Sequence, residues 1–161
     1  MTETQRLINV YRQQAQMVHA HVADFSEGDM LVRPFDKANH AAWQLGHLTS
    51  MSIVLANTAV PGALPEPPAE FVQRHGPDGV RLNEGFESKA QLLRRFDEMN
   101  DAAIAWVGTL TEADRAKPTP ESIHRFAVTI GHLAMMLPIH AVMHLGQIQV
   151  IRRKLGKPVL F

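Results

Sequence analysis

A chain of 161 residues suits one domain, residues 1–161, burying about two-thirds of its unfolded surface. Hydrophobic residues at 45% and charged residues at 20% match an ordinary globular protein, which excludes disordered, collagen-like and coiled-coil classes. The 16 basic and 16 acidic residues cancel, so no positive field draws nucleic acid.

The absence of cysteine excludes disulfides, cysteine-ligated zinc, iron–sulfur clusters and thiol nucleophiles. Any metal site must therefore use His, Asp or Glu, and there are 9 histidines. The start Met1-Thr-Glu-Thr-Gln-Arg is polar and continues as an amphipathic pattern, unlike a secretory signal, so a cytoplasmic protein is expected. No run approaches the roughly 18 to 20 uninterrupted apolar residues that span a bilayer, so no membrane partner is expected.

Residues 2 to 25 read as a helix opened by Thr2 and Gln5, with the stripe Leu7, Tyr11, Gln14, Val18, His21, Phe25. Gly28, Pro34 and Asp36 mark a connection with one helical turn around Glu27 to Val32, and Asn39 is the predicted cap of the next helix. That second helix, from His40 to about Ala59, is apolar on two faces, as a helix buried between neighbours must be.

The prolines and glycines of residues 60 to 87 predict a long irregular crossover with one short helix near Ala69 to Arg74. A third helix starts at Ser88 with Gln91 and carries Leu92, Phe96, Met99, Ala103, Trp106 and Leu110 inward. Asp97 and Asp101 fall on its solvated face. Residues 111 to 125 read as another connection. The last helix is predicted from about Phe126 to Leu155, with a kink or break at Pro138. Four long helical patterns, no strand pattern and one long crossover between the second and third helices predict an all-α four-helix bundle.

His140 and His144 form His-x-x-x-His, about 40° apart on one helical face, within the inward stripe Leu133, Leu137, His140, His144, Ile148, Ile151, Leu155. A third ligand must come from elsewhere, and His47, on the inward stripe Gln44, His47, Met51, Val54, is the leading candidate. On spacing alone two readings stand: a divalent metal, or core histidines satisfied by carbonyls or water. Gln14, His21, Met51 and Gln147 are candidate pocket or second-layer residues, His132 reads as structural, and His124 as a loop residue. His19, His40 and His75 read as surface, helix-start or loop positions.

The short echo Gly46-His47-Leu48 and Gly131-His132-Leu133 decides nothing about function. His140-Ala-Val-Met-His144 lacks the glutamate that a zinc peptidase uses as its base, and no catalytic residue is assigned. Nucleophile-elbow, phosphate-loop and dinucleotide motifs are also missing.

The run His140-Ala-Val-Met-His144-Leu-Gly146-Gln147-Ile148 resembles the His-x-x-x-His-x-Gly-Gln pattern of the DinB-like (YfiT-like) superfamily of metalloenzymes. Asn39 through Leu48, with Trp43 and Gly46-His47-Leu48, is similar to that superfamily's first-ligand helix. Pro68-Ala-Glu-Phe71 and Arg152-Arg-Lys-Leu-Gly156-Lys-Pro158 are similar to its middle and end. The resemblance implies a four-helix bundle with one divalent metal, zinc, nickel or iron, on His47, His140 and His144. It also implies kinship with bacillithiol transferases and mycothiol-dependent maleylpyruvate isomerase, hence activation of a low-molecular-weight thiol for S-transfer or isomerisation of a small-molecule substrate. A hydrolase using bound water and a non-catalytic metal-binding stress-response protein are the alternatives. A homodimer is expected, from apolar surface on more than one side of the first two helices and from the resemblance.

Overall fold

The computed structural model describes residues 1–160, and among them the chain forms six α-helices: α1 (Glu3–Val22), α2 (Ala41–Ala59), α3 (Ala69–Arg74), α4 (Lys89–Thr109), α5 (Glu112–Ala116) and α6 (Ile130–Lys154). The four long ones are the expected bundle. In cross-section α1 packs on α4 and α6, and α2 packs on the same two, so α1 and α2 lie on one diagonal. Tyr11 bonds to Ala134 and Arg152 to the His21 carbonyl, so α1 and α6 run parallel. Gln14 bonds to Asn100 and His19 to Asp97, so α1 and α4 run antiparallel. Gln44 meets His144 and His47 meets His140, which makes α2 antiparallel to α6 and therefore parallel to its neighbour α4. Parallel neighbours cannot be joined by a short loop, because the chain must return along the bundle's length before the next helix begins. The crossover makes that return, and it brings residues 75 to 82 alongside the first turns of α2.

Local chemistry sets the helix ends. Thr2 accepts the Gln5 N–H at the start of α1, and Ser88 with Gln91 forms a full capping box on α4. Two expectations are corrected. The cap of α2 is His40 rather than Asn39: its Nδ1 accepts the Trp43 N–H at 3.1 Å while its Nε2 donates to the Leu82 carbonyl at 3.0 Å. A histidine can cap from a buried position because its second nitrogen finds a partner there, and His40 is 0% exposed. The last helix starts after Thr129, not near Phe126, because Thr129 accepts the His132 N–H and residues 111 to 129 fold instead as α5, a single turn at Glu121–Ile123 and a bridge between Pro118 and Thr129.

Pro138 does not break α6, which continues from Ile130 to Lys154. The proline has no N–H for the Ala134 carbonyl, and the Tyr11 hydroxyl donates to that carbonyl at 2.7 Å instead. Among the described residues α6 is also the one helix long and apolar enough, by length and composition, to cross a membrane. In the fold it is a bundle helix, and half of its most apolar stretch is buried against its neighbours.

Candidate metal centre

The antiparallel register of α2 and α6 sets His47 opposite His140 and His144. One nitrogen from each of the three lies within 4.8 Å of the others. The ring centroids are 5.4 Å apart for His47 and His140, 5.2 Å for His47 and His144, and 4.7 Å for His140 and His144. Nε2 of His140 and Nε2 of His144 are 3.2 Å apart, close to the roughly 3.3 Å edge of a tetrahedral site with zinc–nitrogen bonds near 2.0 Å. His144 is buried, and the other two are half-buried.

The far nitrogens determine what the near ones offer. His47 Nδ1 lies 2.9 Å from the His75 carbonyl, which can only accept, so Nδ1 carries the proton and Nε2 a free lone pair. His144 Nδ1 lies 3.1 Å from Gln44 Oε1. The Gln44 amide is oriented by its own Nε2, which donates to the Asn39 carbonyl at 2.9 Å, so its oxygen faces His144 and leaves the His144 Nε2 bare. His140 is anchored least: its buried Nδ1 has no hydrogen-bond partner in the protein.

Burial holds all three rings neutral. It lowers the pKa of His47, pushes that of His140 down to about 4 and that of His144 down to about 3, with the neighbouring histidines adding repulsion for the last two. Three neutral imidazoles with convergent nitrogens, two of them with the far nitrogen oriented, match the donor set of a His₃ metal site.

Four further residues expected near the site take separate places. Gln14 donates to Asn100 Oδ1 at 2.7 Å, which commits it to the seam between α1 and α4. His21 is fully buried, with Nδ1 2.7 Å from the Met17 carbonyl, and its own carbonyl accepts from Arg152. Arg152 is eight residues beyond His144, about 12 Å along α6 at 1.5 Å per residue. Met51 is half-buried one turn beyond His47, and Gln147 is exposed, lining with Gln44 and Phe35 a groove of about 270 Å³. His132 and His124 are exposed, as a structural or loop residue can be.

Sequence reasoning passes over two contributors. Gln44, three residues before His47 on the same face, reads there only as part of a stripe. His75 reads as a surface or loop residue, yet it is 1% exposed, its Nδ1 2.9 Å from the Phe71 carbonyl and its ring packed over Gly46.

Among models of protein families, that of the DinB superfamily matches residues 11–148. Comparison with curated proteins found no match.

Proposed function

The chain belongs to the DinB superfamily, and on that premise we propose that it is a metal-dependent enzyme that activates a low-molecular-weight thiol for S-transfer or isomerisation of a small-molecule substrate. The observation that carries the metal half of this reading is the convergence of three neutral imidazoles, two of them with the far nitrogen already bonded. The residues present fit a divalent ion such as zinc, nickel or iron, and the choice among these rests on availability as much as on donor type. Bound there, such an ion supplies Lewis acidity that lowers the pKa of a thiol or water at its open position.

The protein's own groups then define the chemistry. Three uncharged ligands leave the ion's charge uncancelled, so the position favours an anionic partner. The hydrogen-bond partners of the three histidines are a carbonyl, an amide oxygen and one another, with no carboxylate among them. Hydrolysis is helped by a base beside the attacking water, whereas a thiol that ionises on binding depends less on one. The inward residue considered for that role, His21, is held beside Met17 and Arg152 instead. This asymmetry supports the thiol reading, and reduced thiols place the activity in the cytoplasm.

The test is an assay of metal-loaded protein with a panel of thiols and electrophiles. We expect metal-dependent turnover that needs the thiol, survives His21→Gln and is abolished by His140→Ala. Turnover of esters or amides without thiol, lost equally in both variants, makes the protein a hydrolase. Stoichiometric metal with no turnover across the panel makes it a metal-binding protein only.

A further inference from the structure

We propose that the crossover positions the metal ligand of α2: the main chain at His75 selects the tautomer and orientation of His47, so docking of residues 75 to 82 on α2 and metal binding are one linked equilibrium. The inference rests on the metal reading above and adds a positioning segment to it.

Three contacts define the segment's grip. His47 takes its far-nitrogen partner not from α2 or α6 but from the His75 carbonyl, 28 residues along the chain. The plane of the His47 ring is set by Trp43, stacked at 4.4 Å and 15°, and the Trp43 Nε1 donates to the next carbonyl, that of Gly76, at 3.3 Å. Beyond the turn at Pro77–Gly79, the Leu82 carbonyl accepts from His40 and from Arg33, at 3.0 and 2.7 Å.

What holds the main chain at residue 75 is the side chain of His75. Its buried ring lies between Phe71, at 4.3 Å, and Phe86, at 5.5 Å, and rests on the bare backbone of Gly46. A Cβ at Gly46 would fall 2.1 Å from His75 Cδ2, a distance at which the ring must leave. A neutral histidine without that acceptor is free to carry its proton on Nε2 instead, the tautomer that presents no lone pair toward His140 and His144. Linkage then runs both ways: a metal that binds only the docked arrangement stabilises it.

The experiment measures Zn²⁺ affinity by chelator competition and the visible spectrum of the Co²⁺-loaded protein for wild type, Gly46→Ala, His75→Ala and the double variant. It also follows hydrogen exchange of wild type with and without Zn²⁺. Gly46→Ala keeps every ligand and replaces the poorer helix former, yet we expect one equivalent of Zn²⁺ bound about 10- to 100-fold more weakly, the usual effect of losing a ligand's outer partner, with an altered Co²⁺ spectrum. His75→Ala removes the same anchor and is expected to weaken binding likewise; in the double variant the methyl occupies the space the ring has left, so its affinity and spectrum match those of His75→Ala and fall no further. Zn²⁺ slows exchange across residues 75 to 82.

Wild-type affinity and spectrum in Gly46→Ala or in His75→Ala, or a double variant weaker than either single one, overturns the inference alone. So does exchange at residues 75 to 82 that Zn²⁺ leaves unchanged, a readout that needs no variant to fold. Wild type that binds no Zn²⁺ overturns the metal reading, and this inference with it.

Discussion

What separates a metal ligand from a core histidine is the partner of its second nitrogen. For His144 that partner is Gln44, whose amide is turned the right way by the Asn39 carbonyl. Gln44→Leu removes the acceptor and leaves all three ligands, so Zn²⁺ should bind at the same stoichiometry but about 10- to 100-fold more weakly. Chelator competition checks this, and unchanged affinity refutes it. His144→Ala, by contrast, should lose the ion itself, and elemental analysis showing wild-type stoichiometry in that variant refutes the site. The convergence of the three histidines is legible in the sequence because helical spacing puts His140 and His144 on one inward face and His47 on the inward stripe of the second helix. Gln44 and His75 are not legible as supports, because one needs the register between two helices and the other acts through a carbonyl that every residue possesses. Periodicity also misleads about Gln14 and His21. It gives the direction in which a side chain points but not the partner that it finds there, and these two meet Asn100, Met17 and Arg152 instead.

A helix with a proline in its interior needs another donor for the carbonyl one turn back, and α6 takes it from α1. The Tyr11 side chain is buried, which also raises its phenol pKa, so the hydroxyl remains a donor at ordinary pH. The expectation of a kink or break at Pro138 is sound for the isolated segment, whereas the helix runs on past it with the Tyr11 hydroxyl, 123 residues away in the chain, as a tertiary remedy for the freed carbonyl. Tyr11→Phe leaves a buried carbonyl unsatisfied and should cost about 1 to 3 kcal/mol of stability. In a Pro138→Ala background the N–H gained by the substitution serves that carbonyl, so Tyr11→Phe should there cost distinctly less. Urea unfolding of the four proteins closes the cycle, and equal costs in both backgrounds refute the account. At the same scale, α5 escapes a sequence reading because five residues beside two prolines carry too little periodicity to register.

The bundle buries α2 on nearly every side, as its two apolar faces foretold: 13 of its 19 residues are buried. That weakens α2 as a source of dimer contacts and leaves α1, where Val10 is exposed, together with the outer face of α6, where Met135, Ile139, Val142, Met143 and Val150 are exposed and no charged residue occurs from Thr129 to Ile151. Light scattering at micromolar concentration is expected to give the mass of a dimer, and a monomer mass throughout that range refutes this. The same dense packing buries more histidine than the candidate site contains, since His21, His40 and His75 join its three in having pKa values below the usual 6.5, chiefly through burial. Above pH 6.5 folded and unfolded chains are both neutral at these positions, and the full stability is present. Below it the unfolded chain binds protons that the folded chain refuses, so stability falls as pH falls, by up to about 1.4 kcal/mol per pH unit for each histidine. The loss continues toward the folded values, about 4 for His75 and His140 and about 3 for His144. Asp24, Glu87 and Asp114, whose pKa values are lowered, act with the same sign, but only once pH drops into the ordinary carboxylate range. Metal-free protein unfolded in urea at pH 7, 6 and 5 should therefore lose stability at each step, before any carboxylate contributes much. His75→Phe removes one of the titrating rings and should flatten that slope. A stability unchanged from pH 7 to 5 refutes burial of neutral histidines as the cause.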